Sequence, residues 1–378
     1  MPAAAQALER LQDYLAACAE RIDAEIALVL ETEVEDPWLR GAISYHFGWA
    51  GPDFVPLPAG ERPAGRAAGG KRLRPALVLL TYQGAVGEGG TGPADDHALA
   101  FATALELIHN YSLIHDDIQD RDLLRRGRPT VWSICGQAQA INVGNCLHAA
   151  GYAACLGRFE AAAGTPLDTT LLGDLIASLA TASMRMTWGQ RRDLTFETTD
   201  DVTVDMYLQM VQGKTAALIS CATYGGALLA FNGTRAQAPV DAYAEFGRQL
   251  GMGFQIRDDI LGIWGSESQT GKPSGGDIRR RKKSLPVLLA LQEAAPAARS
   301  RLRDLYAQTA HLTSDEESDV RTILDECRAR ALAEEHAHQH GQRALAALTE
   351  AAGRPEALRE NSFLSTLEQL TSFATTAG

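Results

Sequence analysis

The residues best placed to do chemistry are three aspartates in the stretch from Leu105 to Trp132, LELIHNYSLIHDDIQDRDLLRRGRPTVW. Leu105, Ile108, Ser112 and His115 recur at three- and four-residue spacing with no Gly or Pro between them, which predicts a helix. Asp116, Asp117 and Asp120 stand at its end, and Asp116 and Asp120, four apart, share a face. Two such carboxylates repel unless a hard divalent cation accepts oxygens from both. Arg125 and Arg126 follow, with Gly127 and Pro129 completing a cationic turn. Carboxylates for Mg²⁺ beside guanidiniums for oxyanions read as a site for a phosphorylated ligand bound through metal. Taken alone, a DDxxD spacing is more often a solvated helix end, and the flanking apolar residues and arginines argue against that here.

A second cluster lies in Gly253 to Pro286, GFQIRDDILGIWGSESQTGKPSGGDIRRRKKSLP. Asp258 and Asp259 close a predicted helix, with Gln255 one turn before Asp258 on the same face. Lys272 follows in a Gly/Pro loop, and the run from Arg279 to Lys283 leads into the next helix. Such a run is by itself a solvated segment or a nuclear address. Between paired aspartates and a helix start, in an acidic chain, it reads in part as phosphate contact. Facing each other across a bundle, the two aspartate clusters would hold Mg²⁺ with a diphosphate at the centre. A third cationic group, Gly69-Gly70-Lys71-Arg72-Leu73-Arg74-Pro75, opens a helix whose first N–H groups attract anions. Lys71 and Arg74, three apart, are suited to clamp a second phosphate, and His109, two turns before Asp116, points to the same region.

Helices must carry all these groups. Residues 4–33 form an amphipathic stripe of Leu8, Leu11, Leu15, Cys18, Ile22 and Ile26, which Asp36-Pro37 breaks ahead of a short helix carrying Tyr45 to Trp49. Residues 51–70 are rich in Pro and Gly and predict a loop. A helix starts at Arg72, where Pro75 is tolerated in the first turn, and a Gly-rich turn at 87–93 precedes the helix of the first aspartates. Further helices are predicted over 137–163, 168–188, Thr203–Ala230, Pro239–Ile263 and Ser284–Glu293, with helical periodicity through 296–373. Strand-like alternation, repeats and linkers are absent, so the expected architecture is one large all-α domain.

The chain has 378 residues, 46% hydrophobic and 22% charged, with a net charge of −12. This composition supplies a core and argues against a nucleic-acid partner or docking on anionic lipid. The six cysteines have no metal-ligand spacing and sit in apolar helical contexts, predicting buried reduced thiols. With no signal-type N-terminus and no run of eighteen apolar residues, a cytoplasmic protein without a membrane span is expected.

GGKRLRP, LIHNYSLIHDDIQD…LRRGRPTVW, Gly213-Lys214-Thr215 and FQIRDDILG…GK…DIRRRKKSLP resemble, in kind and order, the trans-polyprenyl (isoprenyl) diphosphate synthases. The resemblance covers residues 65–300 firmly and the C-terminal helices loosely. It implies a single all-α domain of the isoprenoid synthase type: N-terminal helices and a loop over 1–65, a catalytic core over 66–300 and C-terminal helices over 301–378. It also implies a homodimer that condenses an allylic diphosphate with isopentenyl diphosphate, using three Mg²⁺ ions. By position, Asp116, Asp120 and Asp258 resemble the metal ligands, with Asp117 and Asp259 supporting them. Arg125, Lys214, Lys272 and Lys282 would hold the allylic diphosphate beside Thr215 and Gln255; Gly70, Lys71, Arg74, His109 and Arg126 would hold isopentenyl diphosphate.

Two positions depart from the family pattern: Gly262 stands where the second motif usually has a third aspartate, and Asn145 where Gly-Asp is usual. The bulky Tyr111 and small Ser112, one turn before Asp116, would line the path of the growing chain, and by resemblance suggest a geranylgeranyl product. Farnesyl and twenty-five-carbon products are the alternatives, and Tyr111 as a plain core aromatic is the bland one. Two other functions compete: a terpene cyclase on the same fold, and a catalytically silent partner subunit. Retention of Lys71, Arg74, His109 and Arg126 argues against the first, and of the other ionic residues against the second.

Overall fold

The computed structural model describes residues 2–58, 72–87, 94–161, 168–233, 239–266, 275–308 and 311–376. The fold is all-helical, as the periodicity predicts. In chain order the helices are α1 (Pro2–Glu33), α2 (Pro37–His46), α3 (Leu73–Val86), α4 (Ala94–Gln119), α5 (Val131–Cys135), α6 (Gln137–Ala161), α7 (Thr169–Phe196), α8 (Val204–Val211) and α9 (Ala217–Ala230). Then come α10 (Val240–Trp264), α11 (Gly276–Arg279), α12 (Leu285–Glu293), α13 (Pro296–Ala307), α14 (Ser314–Glu326), α15 (Ala329–Ala352), α16 (Ala357–Glu360) and α17 (Ser362–Thr375). Among the described residues the strands are β1 (Leu124–Arg125) and β2 (Arg128–Pro129), an antiparallel pair too short to leave an alternation in the sequence.

Local signals set several boundaries. Asp36 caps α2 by accepting from the N–H groups of Trp38 and Leu39, with Pro37 in the first turn. The helix ends at His46, so it carries Tyr45 and His46 of the predicted Tyr45–Trp49 segment and leaves Phe47–Trp49 in the turn that follows. Helix α7 runs to Phe196 rather than 188, because Gln190, Arg191 and Arg192 are good helix formers that carry no apolar stripe.

Contacts divide the chain into two compact units. The first comprises Met1–Ala180, Cys221–Val240 and Arg354–Gln369. Within it α4 packs against α3 and α6, and α1 against all three. Ile22, Ile26, Leu77, Leu80, Phe101, Leu105 and Leu107 are fully buried there, each worth roughly 1.5–3 kcal/mol of transfer free energy. Helix α4 thus ends with its aspartates on a rigid stem. Cys18, Cys155 and Cys221 are buried, with burial pushing the thiols of Cys155 and Cys221 up to about 12; Cys135, Cys146 and Cys327 are half-buried instead of buried.

The second unit comprises Thr181–Ser220, Asp241–Gly353 and Leu370–Gly378. One of its clusters joins Tyr207, Met210, Ile256, Ile260, Leu285 and Leu288; another joins Ile263, Ile278, Val287, Leu302, Leu305, Val320 and Leu324. Between α8 and α9 the backbone widens into a π-turn, Gln212–Ala216, which carries Lys214 and Thr215. Such bulges recur at functional sites because they re-aim side chains. Gly189 on α7 makes this turn possible: a Cβ there would fall on the backbone nitrogen of Lys214. Gly189→Ala should therefore cost about 1–3 kcal/mol in denaturant unfolding, while Gly173→Ala, with open space at its Cβ, should cost nothing.

Candidate active site

In the first unit the last turn of α4 presents its aspartates differently from one another. The Asp120 N–H donates to the Asp116 carbonyl at 2.8 Å, which keeps the two in helical register. Asp116 is half-buried and Asp120 exposed, whereas Asp117 turns inward and is only 2% exposed. The Arg125 guanidinium holds both Asp117 oxygens, Nε at 2.8 and 3.0 Å and Nη2 at 2.8 Å. Burial pushes the Asp117 carboxyl up, and Arg125 opposes it. Arg125 sits in β1, and the turn to β2 has φ of 53° at Arg126 and 74° at Gly127. Positive φ at both central residues is the type I′ pattern, and at a non-glycine it costs roughly 1–2 kcal/mol. Arg128 secures the hairpin by donating to the carbonyls of Tyr45 and Ala50 at 3.0 and 3.2 Å while stacking over the Tyr45 ring. The strained Arg126 is thereby fixed in an exposed position.

Deeper in the same unit, Arg74 Nη1 donates to His109 Nε2 at 3.0 Å. Burial, followed by the charges of Arg74, Arg126, Arg125 and Arg72, keeps the His109 pKa well below its ordinary value, so the imidazole accepts as a neutral ring. Arg72, 2% exposed, bridges Glu106 on α4 and Asp23 on α1, each at 2.8 Å. Glu106 also accepts from Asn110 at 2.9 Å, and Asn110 meets His46 Nε2 at 3.0 Å. The motif GGKRLRP therefore divides its arginines: Arg72 locks α1 to α4, and Arg74 turns to His109.

The second unit repeats the inward–outward division. On α10, Asp258 is exposed and Asp259 is 1% exposed. Asp259 accepts from Tyr207 Oη at 2.6 Å, Lys282 Nζ at 2.8 Å and Gln255 Nε2 at 3.1 Å, and Thr215 donates to Gln255 at 2.7 Å. Burial disfavours the Lys282 charge, but Asp259, Asp277 and Asp193 outweigh it and raise the pKa. Lys214 pairs with Asp193 on α7 at 2.5 Å. Lys283 takes a different role: its Nζ donates to the carbonyls of Phe196 and Thr199 at 2.7 and 2.6 Å, capping the end of the helix that carries Asp193.

Of the residues singled out from sequence, Gly70, Lys71 and Lys272 lie outside the described residues. Asp116, Asp117, Asp120, Arg125, Arg126, Arg74 and His109 belong to the first unit; Lys214, Thr215, Gln255, Asp258, Asp259 and Lys282 belong to the second. Sequence reasoning missed Asp193, Tyr207 and Arg72. Asp193 lay beyond the predicted end of its helix, and Tyr207 is marked as polar machinery only by its contact with Asp259. Near Asp116, the Tyr111 ring meets His148 at a tilt of 53° with centroids 4.3 Å apart, His148 meets Tyr152 edge-on at 5.3 Å, and Ser112 donates to its own helix at the His109 carbonyl. Asn145 is exposed on α6.

The donors fit a hard cation. Among the described residues no group of three or more His, Cys, Asp or Glu converges on one point. Mg²⁺ takes one or two carboxylates and completes its octahedron with phosphate oxygens and water, and Asp116 with Asp120 offers that partial set.

A family model described as polyprenyl synthetase matches residues 64–326. The chain is 35% identical over 340 residues to a geranylgeranyl diphosphate synthase of Mycobacterium tuberculosis, covering 89% of each. It is 36% identical over 294 residues to a (2E,6E)-farnesyl diphosphate synthase of Mycobacterium bovis, covering 77% of this chain and 74% of that one. The crystal structure of a polyprenyl synthase from Caulobacter crescentus CB15, complexed with calcium and isoprenyl diphosphate, is similar with a TM-score of 0.74 and 27% identity, covering 97% of each chain. The chain belongs to the polyprenyl synthetase family, and its fold is the all-helical isoprenoid synthase fold.

The buried imidazoles carry a pH signature. Burial, then the charges of Arg126 and Arg125, hold His46 at about 3 against an ordinary 6.5. Above 6.5 it is neutral folded and unfolded; below 6.5 the unfolded chain takes up a proton the folded one refuses, so stability falls as pH drops towards 3. His46→Gln, which cannot titrate, should flatten the decline of unfolding free energy between pH 7 and 5, by up to about 1.4 kcal/mol per pH unit. A curve parallel to the unaltered chain's would show that the folded state protonates His46.

Proposed function

We propose that the chain is a single synthase domain that condenses an allylic diphosphate with isopentenyl diphosphate and releases geranylgeranyl diphosphate. The observation that carries this reading is the repeated pairing of an outward aspartate with an inward one that fixes a cation: Asp116 and Asp117 with Arg125, Asp258 and Asp259 with Lys282. In it, Asp116, Asp120 and Asp258 are the Mg²⁺ ligands, while Asp117 and Asp259 set the cations. Bound Mg²⁺ would neutralise charge on the departing diphosphate.

The side chains do the rest. Arg125, Lys214 and Lys282, with Thr215 and Gln255 beside them, hold the allylic diphosphate and stabilise the negative charge that grows on it as the allylic C–O bond breaks. Arg74, His109 and Arg126 hold the diphosphate of isopentenyl diphosphate, whose double bond then attacks the allylic cation. The new C–C bond forms, and a proton leaves the adjacent carbon for the departed diphosphate, so no side-chain base is needed. A homodimer in the cytoplasm is the expected setting.

Product length is assigned to the bulky ring cluster of Tyr111, His148 and Tyr152, next to the small Ser112.

Incubation with Mg²⁺, isopentenyl diphosphate and dimethylallyl, geranyl or farnesyl diphosphate in turn, followed by mass spectrometry, should give a linear twenty-carbon diphosphate. A cyclic hydrocarbon formed without isopentenyl diphosphate would replace the synthase with a cyclase, and no turnover from any starter would favour a silent subunit. Tyr111→Ala should lengthen the product by at least one five-carbon unit, with His148→Ala acting in the same direction. An unchanged product from both variants would remove the ring cluster from length control.

A further inference from the structure

The hairpin that carries Arg126 is one its own sequence does not favour. Arg125 and Arg128 stand directly opposite each other across β1 and β2, so two guanidiniums share one cross-strand position. Between them Arg126 holds a φ of 53°, which a residue with a side chain rarely adopts. Two strands of two residues each are too short to hold such a turn unaided. Its surroundings must impose it, and they do so at both ends. Asp117 on α4 takes Arg125. Helix α2 and the turn after it take Arg128, whose guanidinium donates to the carbonyls of Tyr45 and Ala50 and lies 4.2 Å from the centre of the Tyr45 ring. Tyr45 closes the clasp from the other side, donating from Oη to the Pro129 carbonyl at 2.7 Å. Next along the chain, His46 meets Asn110, the residue after His109 on α4, at 3.0 Å. Helix α2 is thus a strut between the stem of the aspartates and the hairpin, although it carries none of the motifs by which the chain resembles its family.

We infer that Arg128 and Tyr45 are positioning residues for isopentenyl diphosphate: they fix the turn that aims Arg126 at it. The inference rests on the assignment of Arg126 to that substrate made above, and deepens it. Arg125 and Arg126 are neighbours in the chain with different dependences. Arg125 has its own carboxylate in Asp117 and keeps its place when Arg128 lets go. Arg126 owes its backbone conformation to the clasp, and a turn free to relax carries its guanidinium elsewhere. Loss of the clasp is therefore felt by one substrate and not by the other.

The test is steady-state kinetics on Arg128→Ala, Arg128→Lys and Tyr45→Phe, with Arg126→Ala as the second arm of a double-mutant cycle. Arg128→Ala should raise the isopentenyl KM about tenfold, the scale of the backbone strain released, and leave the allylic KM within about twofold. Arg128→Lys, which keeps a donor for the carbonyls, should recover part of the loss. Tyr45→Phe keeps the ring and loses only the bond to Pro129, so its rise should be about threefold. In the Arg126→Ala background, Arg128→Ala should add nothing to the isopentenyl KM, since the group it aims is gone. Equal rises in both KM values, full additivity in the cycle, or an unaltered isopentenyl KM in Arg128→Ala would overturn the inference. Should Arg128→Ala fail to fold, the KM split and the cycle are read from Tyr45→Phe. Absence of turnover by the unaltered chain would defeat the synthase reading instead. Amide hydrogen exchange then decides the clasp: Arg128→Ala should speed exchange over residues 123–130 and spare α4, and unchanged exchange over the hairpin would overturn the inference.

Discussion

A site for two diphosphates needs several cations close together, and in the absence of ligand those cations repel one another. Several of the cations have a carboxylate partner within their own unit: Arg125 has Asp117, Lys214 has Asp193, Lys282 has Asp259, and Arg72 has Glu106 and Asp23, while Arg74 meets the neutral His109 ring. An unpaired charge as deep as Arg72, Asp117 or Asp259 would cost several kcal/mol, so those pairings are a condition of folding. They also fix where each of these cations points before any substrate arrives. Preorganised charges do not have to be reoriented during the reaction, and this is the largest electrostatic contribution an active site makes. Two imidazoles, His46 and His109, register the same crowd of guanidiniums by resisting protonation.

The all-helical scaffold follows from the same requirement. A helix lets adjacent aspartates diverge by about a hundred degrees, so one of each pair can turn inward to its cation while the other faces outward. A strand would send neighbours to opposite faces and separate a pair of this kind. The π-turn at Gln212–Ala216 is a local departure with a similar purpose: it brings the Lys214 backbone against Gly189 and sets its side chain on Asp193.

Most of the fold was legible because helical periodicity is strong in α4, α7 and α10 and breakers such as Asp36-Pro37 are unambiguous. The hairpin at Leu124–Pro129 was not, since two-residue strands leave no alternation. The aspartates, Arg74 and Arg125 could be picked out by type and spacing, Lys282 as part of a cationic run, and Lys214 only through the family resemblance. What spacing does not convey is which carboxylate faces in. The four-residue spacing sets Asp116 on one face with Asp120 and apart from Asp117, but that Asp117 turns inward onto Arg125 follows only from the packing of α4. Asp193 and Tyr207 were invisible for the same reason: their roles exist only through contacts with residues 21 and 52 positions away along the chain. His148 and Tyr152 likewise join Tyr111 only because α6 packs on α4.

In the proposed reaction the allylic diphosphate is held through metal by the outward aspartates and not by the paired cations alone. Titration calorimetry of a non-ionisable farnesyl thiolodiphosphate, with Mg²⁺ and then with excess chelator, tests it most directly. Tight binding with Mg²⁺, abolished by chelator and equally by Asp116→Asn with Mg²⁺ present, is the predicted result. Equal affinity with and without Mg²⁺ would contradict the account and leave the cations to hold the diphosphate unaided.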